Sequence, residues 1–130
     1  MNFGPIPTPS ASCLPFWEAA AEGKLVIPRC SHCGHYEWVP QEFCSSCGAW
    51  KFSWEPMSGC GKVYSYSIVH AAQVPGLETP YALAIVRLDE GVDLLTNIVG
   101  CPVEDVQVGM RVAVQFMRRG DYWIYPFQPA

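Results

Sequence analysis

Hydrophobic and polar positions follow a strand-like period through the second half of the chain. Val63-Tyr64-Ser65-Tyr66-Ser67-Ile68-Val69-His70 is rich in aromatic and β-branched residues, and Tyr81 to Leu88 is an apolar run. Val92 to Val99 is a third such segment, Arg111 to Met117 alternates as a fourth, and Tyr122 to Tyr125 is a fifth. Pro75-Gly76 and Pro80 punctuate the loop before the second segment. Asp89-Glu90-Gly91 reads as a hairpin turn, with glycine where φ > 0 is needed. Pro102 to Val108 is a polar turn or short helical insert ending at Gly109, and Arg119-Gly120-Asp121 turns once more. Five short strands with an insert between the third and fourth predict a small Greek-key barrel of OB type, with a β-sandwich as the alternative.

The first half has a different rhythm. Pro5, Pro7, Pro9 and Pro15 fix φ and remove donors, so residues 1 to 15 read as an extended arm. Phe16 to Gly23 reads as a short helix: Ala and Glu favour it, Pro15 suits its first turn and Gly23 its stop. Such a helix is too short to stand alone, so Phe16 and Trp17 must dock it on the barrel or on another subunit. Lys24 to Arg29 is a brief strand, Tyr36 to Val39 another, and Pro40 breaks the run. Trp50-Lys51-Phe52-Ser53-Trp54 alternates large apolar with polar residues, a period-two strand with Trp50, Phe52 and Trp54 on one face.

 Pro56 and Ser58-Gly59-Cys60-Gly61 then read as a flexible joint. The divisions expected are residues 1–23 for arm and helix, 24–57 for a ribbon and 58–130 for the barrel, with no internal repeat.

The ribbon segment carries the chemistry. Cys30-Ser-His-Cys33-Gly and Cys44-Ser-Ser-Cys47-Gly are two Cys-x-x-Cys knuckles with ten residues between them. Each glycine permits the turn that aims backbone N–H groups at sulfur. Four sulfurs at about 2.3 Å around one ion make the closed tetrahedral site of structural zinc, which leaves no position for substrate. Iron in a four-thiolate site has the same ligands, and disulfides are the other rival. Seven cysteines is an odd count for a disulfide framework, and Met1 to Ser12 lacks the basic and apolar regions of a secretory signal. The expected location is the cytoplasm. His32 and His35 flank a shell that four thiolates already complete, and so are expected to face solvent.

Composition narrows the partners. Eight Lys and Arg stand against twelve Asp and Glu, with a net charge of −4 and no basic stripe, which argues against a phosphate-tracking nucleic-acid surface. No apolar run approaches the roughly 18 residues of a membrane span. Aromatic residues make up 13% of the chain, more than a core of this size needs, and the surplus is expected at a protein interface. The terminal Tyr-Pro-Phe-Gln-Pro-Ala is expected to lie as an extended strip on a partner. Cys13, Cys60 and Cys101 are read as buried thiols, and His70 as a loop histidine that could pair with Cys60 or Cys101 only if the fold joined them. Asp89, Glu90, Asp93, Glu104 and Asp105 read as solvated turn residues. No catalytic constellation is visible.

The order of motifs resembles one family. Phe16-Trp17-Glu18-Ala19, Gly23-Lys24-Leu25, the two knuckles, Trp54, Ser58-Gly59-x-Gly61-x-Val63-Tyr64-Ser65, Pro80-Tyr81, Leu88-Asp89-Glu90-Gly91, Asn97-Ile98-Val99-Gly100-Cys101 and Val108-Gly109-Met110 occur in its sequence order. This is the OB-fold, acyl-CoA-associated family with an N-terminal rubredoxin-like zinc ribbon, and the likeness covers residues 16 to 130. Cys60, between two glycines, departs from its pattern. The resemblance implies a helix, ribbon and barrel, with zinc on Cys30, Cys33, Cys44 and Cys47. It implies a non-catalytic accessory subunit of a thiolase-superfamily enzyme acting on acyl-CoA, expected as a heterotetramer with a thiolase-fold large subunit. Coenzyme A is then a ligand of the complex, and Arg29 and Lys62 near the Gly59–Gly61 joint are candidate phosphate contacts. The alternatives are a single-stranded nucleic-acid binder and a stand-alone acyl-CoA-binding protein.

Overall fold

The computed structural model describes residues 7–71 and 77–130. Pro5 of the arm and Pro75-Gly76 of the loop lie outside the described residues. Helix α1 spans Leu14–Ala21 after a single 3-10 turn at Ala11–Cys13. It starts two residues before the expected position, since Pro15 occupies its first turn, where a missing N–H costs nothing. The extended arm is correspondingly shorter than 1–15. Gly23 follows at φ +77°, the left-handed value that ends the helix.

The described residues form nine strands: β1 Val26–Cys30, β2 Phe52–Pro56, β3 Cys60–Val69, β4 Tyr81–Leu88, β5 Asp93–Ile98, β6 Arg111–Val114, β7 Met117–Arg119, β8 Tyr122–Ile124 and β9 Phe127–Pro129. Strands β1 and β2 pair antiparallel as the ribbon's sheet, from Val26 opposite Pro56 to Cys30 opposite Phe52. Trp50 lies outside β2, contrary to the alternation argument. It is 72% exposed and packs against Phe43, ring centroids 5.9 Å apart. The Tyr36 to Val39 segment is no strand but a single bridge from Tyr36 to Arg29.

Strands β3, β4, β5, β9 and β6 close into a barrel in that order. The mainly β, five-stranded OB-type expectation holds, but with a different fifth strand. Tyr122 to Tyr125 does not join the barrel. Arg111 to Met117 divides at Gln115, and β7 turns at Gly120 into β8 as a separate hairpin. The barrel is closed instead by β9, which pairs parallel with β5 through Ile98 and Phe127 and antiparallel with β6. The terminal segment expected on a partner is therefore part of this chain's own core, and Phe127 is fully buried. A proline is tolerated there because β9 is only three residues long and meets β5 at the single pair of Ile98 with Phe127, so Pro129 has no partner on β5 to donate to.

Alternation along β4 turns Ala82, Ala84, Val86 and Leu88 inward, against Leu94 and Ile98 of β5, Val63 of β3 and Val112 of β6. The helix docks on the same core. Phe16 is buried, with Trp17, Trp38 and Tyr125 each within 5.2 Å of its ring centre.

Gly59 and Gly61 do not form a loose joint. A Cβ on Gly61 would collide with the backbone carbonyl of Arg87, and one on Gly59, at φ +77°, would sit 2.8 Å from Val114 Cγ1. Glycine is needed here for close approach. Across the junction Met57 N–H donates to the Leu25 carbonyl at 2.8 Å, and Ser58 N–H to Glu90 Oε2 at 2.7 Å.

Candidate metal centre

Strand β1 delivers Cys30 at its end, and the chain then turns through Gly34 at φ +80°. Gly48 takes the same φ after the second knuckle. The turns bring Cys30, Cys33, Cys44 and Cys47 together, with all four sulfurs within 4.8 Å of one another. Cys30 Sγ lies 3.6 Å from Cys47 Sγ, and Cys33 Sγ 3.6 Å from Cys44 Sγ. A tetrahedron with sulfurs about 2.3 Å from its centre has edges of about 3.8 Å, so the cluster fits one zinc ion with little adjustment. Cys30 and Cys44 are buried, while Cys33 and Cys47 face outward.

The sulfurs show what a metal would do for them. The Cys33 N–H, 3.5 Å from Cys30 Sγ, is the main influence holding the Cys30 thiol down to about 6. Cys47 is pushed up to about 12: the Ala49 N–H favours its thiolate, but burial and the sulfurs of Cys30, Cys33 and Cys44 outweigh it. Four thiolates cannot all ionise side by side without a cation, and a dication in the middle removes that conflict.

His32 and His35 are exposed, as expected of residues outside a completed shell. Arg29 donates from Nε to the Gly34 carbonyl at 3.0 Å and lies over the Tyr36 ring at 5.0 Å, bracing the first knuckle. Lys62 is on the barrel, opposite Arg87 on one side and Arg111 on the other. Arg29 and Lys62 thus belong to different sheets.

The acidic turn residues have more to do than face water. Hydrogen bonds from Arg111 hold the Asp89 carboxyl below the usual range, at 2.8 and 3.1 Å. Arg87 does the same to Asp93 at 2.8 and 3.0 Å, while lying 3.9 Å from the Tyr64 ring centre. Glu90 takes the Ser58 N–H described above. Cys60 begins β3 and His70 lies just beyond its other end, about 30 Å away along the ten-residue strand, so they form no pair. Burial, with Asp105 nearby, raises the Cys101 thiol, the wrong direction for a nucleophile. An apolar cavity of about 260 Å³ opens where helix, ribbon and barrel meet, lined by Phe16, Trp17, Trp38, Leu95 and Tyr125 among others. No element of the sequence pointed to it, because its walls come from three separate segments.

A closed four-cysteine site on a ribbon, followed by an OB-type barrel, defines a zinc-ribbon/OB-fold protein. Two family models match these parts: the rubredoxin-like zinc ribbon domain of ChsH2 over residues 17–52 and the C-terminal OB-fold domain of ChsH2 over residues 54–117. The chain belongs to this ChsH2 (DUF35) family.

Its relatives include a DUF35 domain-containing scaffold protein of Methanocaldococcus jannaschii, 40% identical over 72% of this chain and 68% of that one. A probable enoyl-CoA hydratase alpha subunit of Thermomonospora curvata is 37% identical over 88% of this chain. The benzoylsuccinyl-CoA thiolase subunit BbsA of Geobacter metallireducens is 38% identical over 55%. The chain spans 37% of the hydratase subunit's length and 48% of the thiolase subunit's. Among solved structures, a chain of the Ltp2-ChsH2(DUF35) aldolase superposes with a TM-score of 0.86 at 32% identity, over 95% of this chain and 98% of that one. By name, these relatives are thus a scaffold protein, a subunit of an enoyl-CoA hydratase, a subunit of a benzoylsuccinyl-CoA thiolase and a chain of an aldolase. No helix among the described residues is long and apolar enough to cross a membrane.

Proposed function

We propose that this chain is a non-catalytic, zinc-binding accessory subunit of a thiolase-superfamily enzyme acting on acyl-CoA in the cytoplasm. The observation that carries the reading is the match of nearly the whole chain to the DUF35 chain of an aldolase complex. In this reading residues 24–57 act as the ribbon unit and 58–130 as the barrel unit. The metal organises the ribbon, and the large subunit supplies the carbon–carbon chemistry. Exposed apolar residues support a protein contact: Val39 and Leu95 flank the apolar cavity at 61% and 57% exposure, one on the ribbon and one on the barrel. Lys62 and Arg29 are the candidate contacts for coenzyme A phosphates, and a heterotetramer with a dimeric large subunit is the expected assembly.

The test is co-expression with a thiolase-fold protein from the same genome, followed by size-exclusion chromatography and metal analysis. A co-eluting complex with one zinc per copy of this chain, and acyl-CoA turnover that depends on both, is the expected result. A zinc-loaded chain that elutes alone and leaves the turnover of every such thiolase-fold protein unchanged would reject the accessory role.

A further inference from the structure

The two knuckles repeat each other over eight residues, Cys30-Ser-His-Cys-Gly-His-Tyr-Glu37 and Cys44-Ser-Ser-Cys-Gly-Ala-Trp-Lys51, a local repeat that the sequence reading passed over. Their hydrogen bonds repeat as well. Cys30 N–H donates to the His35 carbonyl at 2.8 Å, and Cys44 N–H to the Ala49 carbonyl at 2.8 Å. Gly34 N–H donates to the Cys30 carbonyl at 2.9 Å, and Gly48 N–H to the Cys44 carbonyl at 2.8 Å.

Between the halves the correspondence continues, with one change of group. Ser31 N–H, just after the first cysteine, donates to the carbonyl of Lys51 at the end of the other half, at 2.9 Å. The reciprocal donor is Ser45 N–H, and the reciprocal end residue is Glu37. Here the acceptor is the side chain: Glu37 Oε1 accepts Ser45 N–H at 3.0 Å, and Oε2 accepts the Ser45 hydroxyl at 2.8 Å. The Glu37 backbone is itself tied to β1, its N–H donating to the Pro28 carbonyl at 2.8 Å. His35 Nε2 lies 3.3 Å from Oε2, and the Glu37 side chain is 3% exposed.

Electrostatics argues against this placement unless geometry is its purpose. Four thiolates around a dication already leave two negative charges, and a carboxylate beside them adds a third. Buried carboxylates persist where directed donors satisfy them, and Ser45 supplies two.

We propose that the Glu37 carboxylate positions the second half of the metal centre, standing in for the missing reciprocal carbonyl and fixing the backbone at Cys44 and Ser45. Cys44 and Cys47 are then presented at the spacing the metal needs. The inference concerns the four-cysteine site and is independent of any partner enzyme.

The test uses the full zinc-loaded chain and two variants, Glu37→Ala and Glu37→Gln, titrated against a chromogenic chelator and then examined as the cobalt-substituted forms. Removing an outer partner of a metal site typically costs about 10–100-fold in affinity, and that loss is expected for Glu37→Ala. Glu37→Gln should stay within about threefold of the parent, because its amide oxygen accepts the Ser45 N–H and the Ser45 hydroxyl can accept its amide N–H. The sulfur-to-cobalt absorption bands should shift in the Ala variant and match the parent in the Gln variant. Ile27→Val, a small packing loss in the same ribbon, should leave those bands unchanged. Parent-like affinity and spectrum in Glu37→Ala would overturn the proposal. So would Glu37→Gln losing as much as Glu37→Ala, or, if the Ala variant does not fold, Glu37→Gln losing tenfold or more.

Discussion

Truncating Phe127 to alanine is the sharpest test of how the barrel closes. Phe127 is fully buried, faces Ile98 on one neighbouring strand and Val114 on the other, and accepts the Val99 N–H at 2.8 Å. The substitution leaves that backbone bond in place, so the loss is packing alone. Phe→Ala in a core costs about 3–5 kcal/mol, and full burial at the seam of a closed barrel points to the upper part of that range. A small domain is stable by about 5–15 kcal/mol, so the variant should stay folded near 25 °C with a much reduced margin. At about 4 °C per kcal/mol, the melting temperature should fall by roughly 12–20 °C. The assay is urea and thermal unfolding of the zinc-loaded chain, followed by tryptophan fluorescence, with zinc content measured on the same samples. If the terminal segment were a strip laid on a partner, the isolated chain would lose nothing and only complex formation would suffer. A loss below about 1 kcal/mol in the isolated chain would refute the barrel-closing role.

Two further outcomes follow from the same geometry. Gly61→Ala forces a methyl into the Arg87 carbonyl and should cost about 1–3 kcal/mol or more, since backbone cannot yield as a side chain can. Gly91→Ala, at φ +90° with open space around it, should cost only about 1–2 kcal/mol of backbone strain, and urea midpoints of the pair check the order. Stripping zinc with a chelator, or Cys47→Ser, should unfold the ribbon, because metal binding in such small sites is worth roughly 10–16 kcal/mol of folding free energy. Amide exchange measured along the chain would show this as lost protection over Val26–Cys30 and Phe52–Pro56. A ribbon that keeps its protection without metal would refute it.

The parts legible in the sequence are those whose signal is local. A Cys-x-x-Cys-Gly carries its turn and its ligands in five residues, so both knuckles could be read directly, and β4 could be read because Tyr81–Leu88 is an apolar run bounded by Pro80 and the Asp89-Glu90-Gly91 turn. The misreadings share a cause: they turn on which distant segment a residue meets. Tyr122–Ile124 has a better strand composition than Phe127–Pro129, yet the latter closes the barrel because Ile98 and Val114 leave a gap of one short strand between them, and prolines are harmless where few ladder bonds remain to be made. Gly59 and Gly61 looked like freedom because glycine usually signals it, whereas Arg87 and Val114, far along the chain, make them a tight fit. Glu37 was invisible for a related reason. A lone glutamate after a knuckle reads as solvated, and only the meeting of the two knuckles puts Ser45 in front of it. The meeting of the two knuckles is thus also what turns an ordinary surface residue type into a buried one.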